Sequence, residues 1–228
     1  MSHLHLPDGV LPLWLWGGGW LLALLLVWRF GRTPSTQQIA YQGALGGLML
    51  AAMSLPVGPL DYHLSLAGPV GILLGAAGGF QVAFTVSALL AFMGHGGVTV
   101  IGLNALLSGG CAAAAAGSYR ALAPRLKPAW AMTWATALGQ SAAALMWFAV
   151  VTIGTRGIAQ ERLADPDAPH GHPVWFAALT LPLMLLGVLV EATVAWGIGR
   201  YLGRVSPALL PSAAEGAAWD PTAEEAAP

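Results

Sequence analysis

The sequence predicts an all-α, polytopic membrane protein of seven transmembrane helices, with the N-terminus external and the C-terminus cytoplasmic. Three observations carry that expectation. Of its 228 residues, 57% are hydrophobic and only 8% are charged, with a mean hydropathy of +0.69, whereas a soluble domain carries about 25% charged residues. Apolar runs approaching the roughly 17–25 residues of a spanning helix recur along the chain. Counting seven crossings also puts most of the nine Lys and Arg residues on one side, as the positive-inside rule requires.

The first segment, 12–28, follows too few charges to be a signal peptide and runs to Trp28 without a cleavage site. The second, 38–55, carries Ala40 and Ala44 as a small-xxx-small pair, expected to serve internal packing, with docking of a partner helix as the alternative. The third and fourth, 64–79 and 80–93, are short and meet at a seam of Gly75, Gly78 and Gly79. They could be read as one helix from His63 to Met93, but merging them would export the cluster Arg120, Arg125 and Lys127. The fifth, 98–119, contains the small-residue run from Cys111 to Gly117, suited to close helix approach. The sixth and seventh are 129–154 and 174–202. Arg29, Arg32, Arg120, Arg125, Lys127, Arg200 and Arg204 then face the cytoplasm, and only Arg156 and Arg162 face outward. The chain therefore divides into an external segment 1–11, a membrane domain 12–204 and a cytoplasmic tail 205–228, rich in Ala, Pro and Glu and expected to be disordered.

Several function classes drop out. The single Cys111 excludes an intramolecular disulfide and a Cys-based zinc cluster. A net charge of -1 gives no reason to expect nucleic acid as a partner; membrane lipid is the expected surrounding. There is no Gly-x-x-x-x-Gly-Lys-Ser/Thr phosphate loop and no His-Glu-x-x-His protease motif. Haem would need axial histidines inside the bundle, and none lies mid-helix. No catalytic cofactor is expected.

The histidines point elsewhere. In the seven-span topology His3, His5, His63, His95, His170 and His172 all fall on the external side. The opening Met1-Ser2-His3-Leu4-His5 places imidazoles beside the N-terminal amine and backbone nitrogens, a nitrogen set that favours Ni(II) or Cu(II) in planar geometry. With Met1 retained, its amine, backbone nitrogens and His3 form a chelate; with Met1 removed, the amine of Ser2 takes that place. His5 is a second imidazole or an orienting residue. His63 is a ligand or a cap of the third segment. His170 and His172 read as an exposed loop, with loose capture of metal as the alternative.

Four stretches resemble the CbiM/NikM family, the substrate-binding membrane components of energy-coupling factor importers for cobalt and nickel. They are His5-Leu6-Pro7-Asp8-Gly9-Val10-Leu11, Gly94-His95-Gly96-Gly97-Val98-Thr99 with Asn104 beyond it, Leu181-Pro182 through Glu191-Ala192, and Arg204-Val205-Ser206-Pro207-Ala208-Leu209-Leu210. The resemblance covers nearly the whole chain. It implies that the N-terminal loop folds back into the bundle and that a His after the second span, here His63, is the last ligand to the transported Ni(II) or Co(II). It also implies a membrane coupling subunit and ATPase subunits as partners, with a small auxiliary membrane subunit as an optional member, in the prokaryotic cytoplasmic membrane.

Two departures matter. Met1, Ser2 and His3 precede the matched pair, so His5 is no longer second. His95 stands where the family has Asp, and it either joins the metal site, relays the ion or is an ordinary loop residue. Asn104, a polar residue within a span, is expected to hold the N-terminal loop. Asp8 is expected to turn the chain with Pro7 and Gly9. Glu191, the one acidic residue deep in a span, is expected in a structural hydrogen bond or at the metal. Imidazole ligands lose protons to bind metal, so capture is expected to weaken below about pH 6.5. The alternative class is a copper or other metal permease, or a membrane metal sensor, acting without an ATPase.

Overall fold

The computed structural model describes residues 6–31, 35–56, 62–164 and 173–211, without the side chains of 156–164 and 173–179. These residues form six α-helices: α1 (Leu13–Phe30), α2 (Thr36–Ser54), α3 (Ala67–Phe92), α4 (Ile101–Leu122), α5 (Pro128–Ala164) and α6 (Pro173–Val205). Helices are the natural answer to an apolar chain, because they satisfy every backbone polar group internally. Five stretches are long and apolar enough to cross a membrane: Leu13–Phe30, Ala67–Phe92, Ile101–Leu122, Pro128–Thr155 and Thr180–Val205. α2, with Gln37, Gln38 and Gln42 in its first half, is not among them.

The segments expected at 64–79 and 80–93 join as α3, but the chain reverses inside it. Gly75 has φ 73° and ψ 173°, a conformation open to glycine and strained for other residues. A Cβ built on Gly79 would lie 2.9 Å from the Gly71 Cα, although eight residues of continuous helix would put them about 12 Å apart. Val70 packs with Val82, Ala83 and Val86 in one core cluster, as an antiparallel hairpin requires. The break thus falls on the first glycine of the expected seam, a few residues before the expected boundary between 79 and 80. Gly79 is a contact glycine rather than the turn itself.

α4 crosses this hairpin. A Cβ on Gly71 would fall 2.2 Å from the Ala112 carbonyl oxygen, and one on Gly79 would fall 3.0 Å from the Ala112 Cβ. The small residues of α4 therefore let three helical segments meet backbone to backbone. α5 and α6 close the second side through Ile72, Tyr119, Met132 and Ala195. Two expectations change. Ala40 and Ala44 are exposed rather than packed internally, because α2 meets α3 through Leu45, Met49 and Met53 on another face. The expected tail from 205 is ordered at its start: α6 reaches Val205, Pro207–Leu209 form a 3-10 turn, and Leu210 packs on the second core cluster.

Candidate metal centre

The end of the bundle opposite the Gly75 turn gathers four of the expected residues. Leu6 is the pivot, at 1% exposure among Leu11, Val100, Leu103 and Leu107. Asn104 on α4 clamps its backbone on both sides: the Leu6 amide donates to Asn104 Oδ1 at 2.8 Å, and Asn104 Nδ2 donates to the Leu6 carbonyl at 3.2 Å. The same carbonyl accepts from the Gly97 amide at 3.2 Å. Leu6 is thereby fixed against Gly97, two residues from His95. Met1, Ser2, His3 and His5, and likewise His170 and His172, lie outside the described residues.

Asp8 takes part in the expected turn, with Gly9 at φ 78°, and also reaches across to the start of α4. Its carboxylate accepts from the Val98 amide at 2.9 Å, the Thr99 amide at 2.8 Å and the Thr99 hydroxyl at 2.5 Å. An anion suits this place, since α4 has no side-chain cap of its own. The Thr99 hydroxyl bond, opposed by some desolvation and aided by the two amide bonds, holds the Asp8 carboxyl below the usual carboxylate range. A lowered folded-state pKa stabilises the fold above the unfolded value and is lost as pH falls through the folded one. The anchor should therefore survive at neutral and mildly acid pH and fail only below about pH 4. Asp8→Asn should loosen it at pH 7, seen as faster hydrogen exchange at Leu6 and Thr99 with the rest of α4 unchanged.

His63 lies in the non-helical stretch 62–66 that feeds α3. Its Nδ1 is 2.7 Å from the Met53 carbonyl oxygen. A carbonyl only accepts, so the ring donates from Nδ1 and, when neutral, carries its lone pair on Nε2. Such a bond sets the tautomer and orientation of a metal-ligating imidazole. The His63 and His95 ring centres are 5.9 Å apart. His95 is set between Gly94 (φ 81°) and Gly96 (φ 99°), its amide bonded to the Leu90 carbonyl at 2.8 Å. Among the described residues no group of three or more His, Cys, Asp or Glu side chains is placed to hold a metal.

Glu191 on α6 explains how 62–66 stays non-helical inside the bundle. The carboxylate is fully buried, accepts from the Ser65 amide on Oε1 and accepts from the Leu66 amide on Oε2 at 3.3 Å. Tyr62 donates to the Gly187 carbonyl at 3.2 Å, with Glu191 Oε1 3.5 Å away, and Gln140 donates to the Ser65 hydroxyl at 2.6 Å. Non-helical backbone at membrane depth is tolerated where protein groups satisfy it, and Glu191 does so at the start of α3. Glu191 thus positions the stretch that carries His63. Tyr62, Ser65, Gln140 and Thr99 complete these contacts without being singled out by sequence. Of these, only Gln140 carries a signal in advance, as a polar residue within a span.

Residues 5–209 match the CbiM family, described as the cobalt uptake substrate-specific transmembrane region. The chain belongs to this family. Two solved structures share the CbiM-like fold seen here. One, described as a transition metal transporter, aligns with a TM-score of 0.70 at 17% identity, covering 88% of this chain and 93% of that one. The other, a truncated transition metal transporter, aligns at 0.68 and 18% identity, covering 87% and 97%. At that identity the likeness speaks for the fold. A comparison with curated proteins finds no match. As a CbiM-family member the chain is an integral membrane protein and a component of metal import.

Proposed function

We propose that the chain is the substrate-capture subunit of an energy-coupling factor importer for Ni(II) or Co(II). The ion is held between residues 1–5 and the His63 imidazole, with Met1 and Ser2 supplying backbone nitrogens and His3 and His5 imidazoles. The observation that carries this reading is the double clamp of Asn104 on a buried Leu6. It fixes the root of the histidine-bearing segment beside the loop of His95, whose ring lies 5.9 Å from His63. Five extended residues reach about 17 Å from that root, enough to bring His3 and His5 onto the His63 side.

The topology in this reading has seven crossings, with the two arms of α3 counted separately and the N-terminus outside. The stretch 62–66 and the helical arm 67–74 together span at most about 28 Å, against a hydrocarbon thickness of about 30 Å. Energy comes from ATPase subunits through a membrane coupling subunit, and the exposed Ala40 and Ala44 of α2 allow close approach of a partner helix. Cells making the chain with its coupling and ATPase subunits should accumulate nickel or cobalt above background. Inactivating the ATPase should return accumulation to background, whereas uptake that persists would favour the permease acting without an ATPase.

A further inference from the structure

Resting on that reading of metal capture, we infer that His95 is a second side-chain ligand to the transported ion, sharing it with His63. Two observations lead there. His95 Nδ1 is buried and has no hydrogen-bond partner, a rare state for a buried ring nitrogen and one that an ion would resolve. The ring pair also has the right separation. With metal–nitrogen bonds of about 2.0–2.1 Å, two imidazoles on one ion put their ring centres roughly 4.5 Å apart at a right angle and roughly 6.4 Å apart in line. The observed 5.9 Å lies within that range.

The backbone supports the same role. Gly94 and Gly96, both at positive φ, bracket His95 in a tight turn, and the Leu90 carbonyl holds its amide. His63 is oriented from the other side through Met53. The two imidazoles alone do not complete a site among the described residues. An imidazole added to a planar nitrogen set raises the coordination number.

Nickel binding to the purified full chain in detergent tests this, read by equilibrium titration and by X-ray absorption, in which imidazole rings scatter distinctively. His95→Ala and His95→Gln are each compared with wild type and with His63→Ala; either His95 variant suffices if it stays monodisperse and keeps its unfolding temperature. The expected result is one imidazole fewer around nickel and an affinity at least about 10-fold lower. If wild type binds nickel and His63→Ala loses it while both His95 variants keep wild-type ligation and affinity, His95 is not a ligand and the capture reading stands. If wild type binds no nickel, both fall.

Discussion

Replacing His63 with alanine is expected to lower nickel affinity by at least about 100-fold, because the proposed capture makes the imidazole a ligand, and even a group that only supports a ligand costs about 10- to 100-fold when lost. The fold should tolerate the change. His63 is only half-buried, and its Nδ1 bonds the Met53 carbonyl, in the last turn of α2. A carbonyl at a helix end can bond water instead. Equilibrium titration in detergent, with unfolding temperature followed on the same samples, separates the two effects. Lost binding with an unchanged unfolding temperature is the expected pair of results. Retained binding would leave the ring a structural peg between 62–66 and α2.

Gly71→Ala should have the largest effect on the fold. Its Cβ would fall 2.2 Å from the Ala112 oxygen and 2.4 Å from the Ala112 Cα. Those are backbone atoms that cannot swing away, so the α3 hairpin and α4 must separate. Overpacking costs about 1–3 kcal/mol and occasionally more, enough to lower the unfolding temperature of the detergent-solubilised chain by several degrees. Gly47→Ala is the matched control, since a Cβ there meets nothing within 4 Å. In a helix that substitution should gain about 0.5–1 kcal/mol. Equal effects at the two positions would mean that the hairpin and α4 are not packed as described.

The helices were largely legible because an apolar chain with 8% charge has few other solutions, and each expected segment overlaps an observed helix. The hairpin was legible only through charge. Hydropathy alone would run Ala67–Phe92 as one span, whereas keeping Arg120, Arg125 and Lys127 on one side demanded a reversal. Its position was not legible, because Gly75, Gly78 and Gly79 look alike in sequence. Only packing shows that Gly75 turns the chain while Gly79 meets Gly71 and Ala112.

At the candidate centre, residue type announced a need but seldom its partner. A polar group within a span has to be bonded; for Asn104 the partner is the Leu6 backbone, and for Glu191 it is the amides of Ser65 and Leu66, 126 and 125 residues away. No local pattern encodes a bond across that separation. Asp8 looked like a turn residue because Pro7 and Gly9 flank it, and its contacts to Val98 and Thr99 became visible only once α1 and α4 were packed together. The exposure of Ala40 and Ala44 was equally hidden, since α2 has small or apolar residues on more than one face that could have met α3.

The claim that an ion is captured between the N-terminal segment and His63 is tested most directly by titrating nickel into the purified full chain, wild type beside a variant with both His3→Ala and His5→Ala. Wild type should bind one ion per chain, and the double variant should bind at least about 100-fold more weakly, with an unchanged unfolding temperature. Equal affinity in the two proteins would contradict the account, because His63 and His95 would then hold the ion without the segment that Asn104 anchors.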